Sequence, residues 1–412
     1  MIKYDYFKLD NGLEVIVHPD PSSKLVCLNL LYKVGSKNEC PDKTGFAHLF
    51  EHLMFGGSKN VKAFDKHLQA VGGENNAFTS NDLTNYYITL PSANIETAFW
   101  LESDRMESLL LNPEVLETQR KVVIEEFRQR YLNVPYGDAW LYLKPLAYKT
   151  HPYQWPTIGK DISHIQKATL DDVRDFFMSF YAPNNAILVL AGDVTKAGAN
   201  HLSKKWFGSI PTRKLGHRTI PKEKPQESFR EMNLKRDVAF DAIFSVYHMP
   251  GKGDKGFTEV DLFSDYLGQG LSSILNQKLV REKPLFSSLS AYITGDIDPG
   301  LFIIAGRVSG DIKLEEAEKA LDDLIYNTIE QPIAERELTR LKNQAESALV
   351  FGNVDLLNRA MELAFAAHIG NPDLVNTELK RIASVSSTGI MDEVRKVIRK
   401  DNCSRLRYYK KK

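Results

Sequence analysis

The sequence predicts an α+β fold made of two homologous halves, each a mostly antiparallel sheet with helices packed on it. Short strand patterns mix with longer helical patterns, without the regular strand–helix–strand alternation of a parallel sheet. The order of the patterns also recurs, because the strand AIFSVYHM precedes the helical segment FTEVDLFSDYLGQG much as KLVCLNLLYKV precedes TGFAHLFEHLMFGG. With 412 residues, 43% of them hydrophobic, the chain is long enough to bury a core in each half.

A linker is predicted near the middle of the chain. Residues 208–228, GSIPTRKLGHRTIPKEKPQES, concentrate Pro, Gly and charge without apolar periodicity, which is typical of an exposed connection. We therefore expect an N-terminal half over residues 1–207 and a homologous C-terminal half over residues 229–412. The first half opens with the strands GLEVIVHP and KLVCLNLLYKV, continues through helices around 45–55 and 113–131, and ends with the strand NAILVLAGDV. The second half lacks the histidines of the first helix, so the chemistry is expected in the first half.

The composition argues against several classes of protein. Fifty-three basic residues balance fifty-three acidic ones, so there is no overall field that would attract nucleic acid or an anionic membrane. The sequence lacks a run of roughly eighteen apolar residues, the length of a membrane-spanning helix. Cys27, Cys40 and Cys403 are odd in number and widely spaced, which indicates free thiols and neither a disulfide framework nor a thiolate zinc site.

The first residues, MIKYDYFKLDNGLEVIV, lack the basic head, apolar run and small-residue cleavage site of a signal peptide. The expectation is therefore a cytoplasmic protein. A chain from which a leader had been removed would have the same pattern, so the periplasm stays open as the alternative.

The stretch GFAHLFEHLMFGGSKN holds His48, Glu51 and His52 in the order His-x-x-Glu-His. Helical residues four apart project from the same face one turn apart, so both imidazoles can bind one metal ion. Glu51 lies between them, and its carboxylate can reach a water on that metal without being a ligand. The order matches the inverzincin signature. The alternative is a polar helix face whose histidines only cap or hydrogen-bond, although polar groups among so many apolar neighbours need a partner.

A catalytic zinc ion takes three protein ligands and leaves one position for water, so a third ligand is required. The helical segment LETQRKVVIEEFRQR offers Glu125 and Glu126. At helical spacing Glu126 shares its face with two valines and Gln119, whereas Glu125 has Lys121 as a neighbour, so Glu126 is expected to face inward. Two solvated glutamates on a surface helix are the alternative.

His48-Leu49-Phe50-Glu51-His52, followed 74 residues later by Glu126, resembles the pitrilysin or insulinase (M16) family of zinc endopeptidases, including the mitochondrial-processing-peptidase branch, whose subunits have about this length. GGENNAFTSNDLTNYYITLP resembles the family's substrate strand, HPYQWPTIGK and YAPNNAILVLAGDV resemble later landmarks, and LGQGLSSILNQKLVREK resembles its C-terminal segment. The resemblance implies one zinc ion per chain, held by His48, His52 and Glu126, with Glu51 as the general base. The implied reaction is hydrolysis of peptide bonds by metal-activated water.

The resemblance also implies how a peptide binds. Asn76, Ala77, Phe78 and Thr79 belong to the stretch that resembles the family's edge strand, which pairs with an extended substrate by β-augmentation. Backbone pairing recognises shape before side chains, so short or unfolded peptides are the expected substrates. An ordinary edge strand with a polar turn is the alternative.

Two positions depart from the family's pattern. The family usually has a glutamate seven residues before the ligand glutamate, where this chain has Gln119, which can hydrogen-bond a ligand but lacks the negative charge. The family's C-terminal half carries an Arg followed about seven residues later by a Tyr, whereas VREKPLFSSLSAY keeps Arg281 and has serines at the tyrosine position. Tyr292 lies too far along the chain to be a simple replacement, although Ser287 or a water could partly substitute for the phenol.

The incomplete Arg and Tyr pair predicts a heterodimer with a homologous subunit that carries both residues, and a homodimer is less favoured. The predicted function is a zinc metalloendopeptidase subunit that acts on short or unfolded peptides. The alternative is a catalytically weak or inactive family member that binds peptides or serves as a structural core subunit. The intact His-x-x-Glu-His motif and Glu126 speak against that alternative, and the missing Tyr favours it.

Overall fold

The computed structural model describes residues 1–216 and 218–411. His217, within the predicted linker, and Lys412, at the end of the predicted C-terminal half, lie outside the described residues. The strands are β1 (Asp5–Lys8), β2 (Glu14–Pro19), β3 (Leu25–Tyr32), β4 (Glu74–Thr79), β5 (Thr84–Pro91), β6 (Ala186–Gly192), β7 (Arg230–Arg236), β8 (Ala242–Met249), β9 (Phe286–Ile293), β10 (Gly300–Val308) and β11 (Cys403–Lys410). The α-helices are α1 (Phe46–Leu53), α2 (Phe64–Ala70), α3 (Ile95–Ser108), α4 (Pro113–Phe127), α5 (Ala139–Ala147), α6 (Ile162–Gln166), α7 (Leu170–Phe180), α8 (Lys196–Phe207), α9 (Phe257–Gly268), α10 (Leu314–Glu330), α11 (Glu335–Gly352), α12 (Leu356–Ile369), α13 (Leu374–Ser384) and α14 (Ser387–Val397).

The described strands form two sheets that share one topology. The first sheet has the order β1-β2-β6-β3-β5-β4, and the second has the order β7-β11-β8-β10-β9. Apart from the additional edge strand β1, both sheets place successive strands in the same positions. In both, the first and last strands of the repeat run parallel and the remaining pairs run antiparallel. The predicted α+β fold of two homologous halves is confirmed.

The predicted strands and helices are present, with small shifts at their ends. The patterns GLEVIVHP, KLVCLNLLYKV and NAILVLAGDV form β2, β3 and β6. The helix expected around 45–55 is α1, and the one expected around 113–131 is α4 followed by a π-helix over Arg128–Leu132. In the second half, AIFSVYHM forms β8 and FTEVDLFSDYLGQG forms α9, which reproduces the order of β3 and α1.

The two compact units are not continuous in sequence. One unit comprises Met1–Arg128, Trp155–Pro221 and Val350–Thr377, and the other comprises Gln129–Gln154, Lys222–Leu349 and Glu378–Lys412. The predicted linker, 208–228, contains the change from one unit to the other after Pro221, and its described residues form neither helix nor strand. The segments 129–154 and 350–377 differ from the predicted division, because each belongs to the unit built on the other sheet.

Helix α12 belongs to the first unit because it covers a face of the first sheet. Its buried residues Ala360, Leu363, Ala364 and Ala367 recur at i, i+3, i+4 and i+7, which makes one apolar stripe. This stripe packs against alternate residues of β3 and β6, namely Cys27, Leu31, Ile187, Val189 and Ala191. The intervening residues of β3 point to the opposite face, and they are buried as well.

Helix α5 belongs to the second unit for the same reason. Ala139, Leu143 and Ala147 recur every four residues along it and pack in one cluster with Val246 of β8 and Leu406 of β11. Each sheet is therefore covered in part by a helix from a distant stretch of the chain.

Within residues 1–216 and 218–411, none of the helices has the length and apolar character of a membrane span.

The three cysteines are free, as predicted, with Cys27 and Cys403 buried and Cys40 exposed.

Candidate metal centre

Helix α1 carries the His-x-x-Glu-His motif and is held by its apolar face. It begins after Gly45, whose backbone has φ 90, a conformation that favours glycine. The ring of Phe50 stacks on Tyr181 with 5.1 Å between centroids, and the Phe50 carbonyl accepts a hydrogen bond from the Tyr86 hydroxyl at 3.4 Å. Because this packing fixes the rotation of the helix, the three polar residues of the motif share the side that faces helix α4 and strand β4.

The structure brings His48, His52 and Glu126 together. Glu126 Oε2 lies 3.5 Å from His48 Nε2 and 3.2 Å from His52 Nε2. The two imidazoles are nearly perpendicular, with centroids 4.9 Å apart. Among the described residues, this is the group of three His, Cys, Asp or Glu side chains whose ligand atoms all lie within 4.8 Å of one another.

These distances suit a zinc ion. Zinc–nitrogen and zinc–oxygen bonds of roughly 2.0–2.1 Å in a tetrahedral site place neighbouring ligand atoms about 3.3–3.4 Å apart. The measured separations of 3.5 Å and 3.2 Å from Glu126 Oε2 to the two imidazole nitrogens bracket that length. Two imidazoles and one carboxylate are also a donor set typical of catalytic zinc sites. The residues therefore fit the metal that the sequence predicts.

Helix α4 presents Glu126 and not Glu125 to the site. It starts at Pro113, and the side chain of the N-cap residue Asn112 accepts a hydrogen bond from the Val115 N–H at 2.9 Å. Glu126 lies on the side of α4 that packs against α1, with its side chain 17% exposed, whereas the Glu125 side chain is 53% exposed and pairs with Arg128 at 3.6 Å. Of the two candidates that the sequence left open, Glu126 has the ligand geometry.

Glu51 is tied to the edge strand by a hydrogen bond. The hydroxyl of Thr79, the last residue of β4, donates to Glu51 Oε2 at 2.6 Å. Tyr86 and Tyr181 are buried nearby, and burial is the main cause that raises the pKa of both phenols, with a smaller contribution from the charge of Glu51. The hydrogen bond from the Thr79 hydroxyl therefore fixes the orientation of the Glu51 carboxylate.

Strand β4 forms an edge of the first sheet within the described residues. It pairs on one side with β5, where Asn76 lies opposite Tyr87 and Ala77 lies opposite Tyr86. Its side chains alternate between exposed and half-buried, and Phe78 is 41% exposed. An open strand edge of this kind is the structural requirement for pairing with an extended peptide.

The remaining predicted residues lie on α4 and in the second unit. Gln119 lies half-buried on α4, two turns before Glu126. Arg281 is exposed on a π-helix, Asn276–Glu282, of the second unit. The Ser287 hydroxyl on β9 donates to the carbonyl of Arg307 at 3.2 Å, and Tyr292 lies further along the same strand.

One residue of the site was not predicted. Glu39 is 1% exposed, and its carboxylate accepts hydrogen bonds from the backbone N–H groups of Gly45 and Ala47, at the start of α1. A sequence signal exists, since the helix begins at a glycine that offers no capping side chain. This signal shows that another residue must cap the helix, but it does not identify that residue.

Two protein-family models match the chain. Residues 14–136 match the model described as Insulinase (Peptidase family M16), and residues 167–345 match the model described as Peptidase M16 inactive domain. The first range includes the motif of α1 and the ligand candidate on α4. The second covers the end of the first half and most of the second.

Named relatives and solved structures agree with these matches. The chain is 35% identical over 348 residues to the zinc protease PqqE of Helicobacter pylori, and the match covers 82% of this chain and 78% of that relative. It is 22% identical over 346 residues to the uncharacterized zinc protease YmxG of Bacillus subtilis, and the match covers 84% of this chain and 83% of that relative. The crystal structure of a protease from Helicobacter pylori has a TM-score of 0.93 at 29% identity and covers 99% of this chain and 100% of that chain. A peptidase M16 inactive domain from Pseudomonas fluorescens shares the fold, with a TM-score of 0.90 at 17% identity over 100% of this chain and 98% of that chain.

Proposed function

The chain belongs to the insulinase family of peptidases, family M16, and from this premise we propose that it is a zinc metalloendopeptidase subunit that hydrolyses short or unfolded peptides. The observation that carries the proposal is the convergence of His48, His52 and Glu126 at zinc-ligand distances, with Glu51 on the same helix and held by Thr79. An inactive scaffold would not need to keep a general base beside three ligands.

Each residue of the site has a role in this proposal. His48, His52 and Glu126 would hold one zinc ion, which would supply a Lewis acid able to acidify water and polarise the scissile carbonyl. With two neutral imidazoles and one carboxylate as ligands, the zinc-loaded site would carry a net charge of about +1, which would favour ionisation of water near neutral pH. Glu51 accepts the proton of the attacking water and delivers it to the leaving amine. The Thr79 hydroxyl holds the Glu51 carboxylate in one orientation.

The substrate is proposed to bind as an added strand on β4. The Asn76, Ala77, Phe78 and Thr79 backbone lies at the sheet edge, and Thr79 reaches Glu51 directly. A peptide paired with this edge therefore runs beside the general base, which explains why extended or unfolded chains are the expected substrates. Gln119 is proposed to support Glu126 from the same face of α4, and Arg281 to contact the substrate. The cytoplasmic location stays a prediction.

Removal of zinc tests the proposal directly. The purified protein should contain about one zinc ion per chain, and hydrolysis of an unfolded peptide should disappear on chelation and return when zinc is restored. Elemental analysis and a fluorogenic peptide assay measure the two quantities. Activity that survives complete removal of the metal, or a protein that binds no zinc at all, would refute the assignment.

Dependence on a partner is the second expectation. Serines occupy β9 where the family's Tyr is expected, so the phenol that would donate a hydrogen bond to the negative charge developing on the substrate oxygen is missing from that position. We propose a heterodimer with a homologous subunit of similar size that carries the Arg and Tyr pair and lacks the His-x-x-Glu-His motif. Addition of such a subunit should raise kcat/KM by roughly a hundredfold, the usual effect of one oxyanion donor.

The assay compares this chain alone, the candidate partner alone and the mixture, at equal concentrations and with one peptide substrate. Full activity from this chain alone, unchanged by the partner, would contradict the proposed division of labour. A mixture without activity, despite a full zinc content, would favour the alternative of a peptide-binding or structural subunit.

A further inference from the structure

Helix α1 lacks a capping side chain of its own. Gly45 occupies the N-cap position with φ 90, and a Cβ there would lie 2.5 Å from the carbonyl oxygen of Ile158, so the position requires glycine. The first N–H groups of a helix have no partner within the helix and, when buried, must find one elsewhere. In α1, which is only eight residues long, these groups belong to the same turn as His48.

Glu39 supplies the missing partner from outside the helix. Its Oε2 accepts a hydrogen bond from the Gly45 N–H at 2.9 Å, and its Oε1 accepts one from the Ala47 N–H at 2.8 Å. The carboxylate is fully enclosed, because the residue is 1% exposed. Both oxygens thus hold the first turn of the helix from which His48 projects.

Burial and hydrogen bonding act in opposite directions on the pKa of Glu39, and burial has the larger effect. Burial raises the pKa of Glu39 to about 8, while hydrogen bonds from the backbone N–H groups of Ala47, Gly45 and Phe46 and from the Trp155 side chain lower it. Two accepted N–H bonds and the positive end of the helix dipole favour the ionised form. Burying a carboxyl group costs free energy unless the group is hydrogen-bonded, and the Gly45 and Ala47 N–H groups supply those hydrogen bonds.

The duplicated fold provides an internal comparison. In the second unit, α9 is the equivalent helix and also begins after a glycine with φ 90, Gly256. There the Phe257 N–H donates to the main-chain carbonyl of Asp254 at 3.4 Å. The helix that carries no metal ligands thus starts from a main-chain turn, whereas the helix that carries them is held by a side-chain carboxylate.

We propose that Glu39 is a positioning residue of the metal centre, which fixes the first turn of α1 and thereby the approach of His48 to Glu126. The inference rests on the proposed zinc site. Its physical basis is that a metal site allows little positional error, since ligands must be held within roughly 0.5 Å of their productive positions. The Ala47 N–H that Glu39 holds belongs to the residue immediately before His48. A released first turn would therefore move a ligand directly.

The test is Glu39→Gln, which keeps the size of the side chain but offers one acceptor oxygen in place of two. We expect the zinc dissociation constant to rise about tenfold, by analogy with the loss of outer-shell partners of metal ligands. The gain in Tm on addition of zinc should shrink accordingly, since that gain reports affinity without any activity assay. In the zinc-saturated enzyme kcat should fall more than KM changes.

Glu223→Gln is the matched control, because the Glu223 carboxylate also accepts backbone N–H groups, from Lys149, Thr150 and His151 at 2.8–2.9 Å, in the unit without ligands. It should lower Tm without changing zinc affinity. If Glu39→Gln does not fold, the same measurements on Glu39→Asp, which is one methylene shorter, replace it. Wild-type zinc affinity and kcat in the folded Glu39 variant would overturn the proposal, while a wild-type chain that binds no zinc would refute the proposed function instead.

Discussion

A Glu126→Gln variant should lose its zinc ion and, with it, the peptidase activity. Glu126 Oε2 lies 3.5 Å and 3.2 Å from the two imidazole nitrogens, so it occupies the third corner of the site. An amide is a much weaker ligand than a carboxylate, and its neutrality raises the net charge of the zinc-loaded site from about +1 to about +2. We expect zinc content to fall from about one ion per chain to a small fraction, and kcat/KM to fall by more than about a hundredfold, the upper range for outer-shell partners alone.

Glu125→Gln is the matched control for this experiment. It makes the same chemical change one residue earlier on the same helix, where the side chain is 53% exposed and pairs with Arg128. Its zinc content and activity should equal those of the wild type, because an exposed ion pair contributes little to the structure. A full zinc content in the Glu126 variant, or a loss of zinc in the Glu125 variant, would show that the third ligand is wrongly assigned.

Local periodicity identifies His48, His52 and Glu126 as candidate ligands, and the family resemblance selects them from the alternatives. The spacing of His48 and His52 places both on one side of a helix, and the valines beside Glu126 indicate that it faces inward, as observed. The patterns KLVCLNLLYKV and NAILVLAGDV likewise predict the strands β3 and β6. These features follow from residues close together in sequence, so a pattern reveals them.

The features that could not be predicted depend on contacts between distant residues. The apolar runs of β3 and β6 require a cover on each face, but they do not specify that α12, which begins about 160 residues beyond the end of β6, supplies one of them. In the same way, the apolar stripe on α5 indicates that the helix is buried, but it does not identify the sheet against which the helix packs. Glu39 is separated from α1 by a turn and carries no signature of its own, since many carboxylates in such segments are solvated.

A Glu51→Gln variant should keep its zinc ion and lose most of its activity. The residue is not among the three ligands, and a glutamine carbonyl can still accept the hydrogen bond that the Thr79 hydroxyl now gives to Glu51 Oε2 at 2.6 Å. The substitution therefore preserves size, orientation and metal while it removes the ability to accept a proton. General-base catalysis contributes about 10²–10⁴-fold, so kcat/KM should fall within that range.

The measurement pairs zinc content by elemental analysis with kcat/KM on an unfolded peptide, in the complete assembly if a partner is required. Glu125→Gln serves again as the control, since it carries the same change of charge on an exposed surface. Loss of zinc together with activity would mean that Glu51 supports the metal, and its role as base would remain unproved by this variant. Near-normal turnover at full zinc content would reject Glu51 as the general base, because the proton of the attacking water would then have to leave through another group.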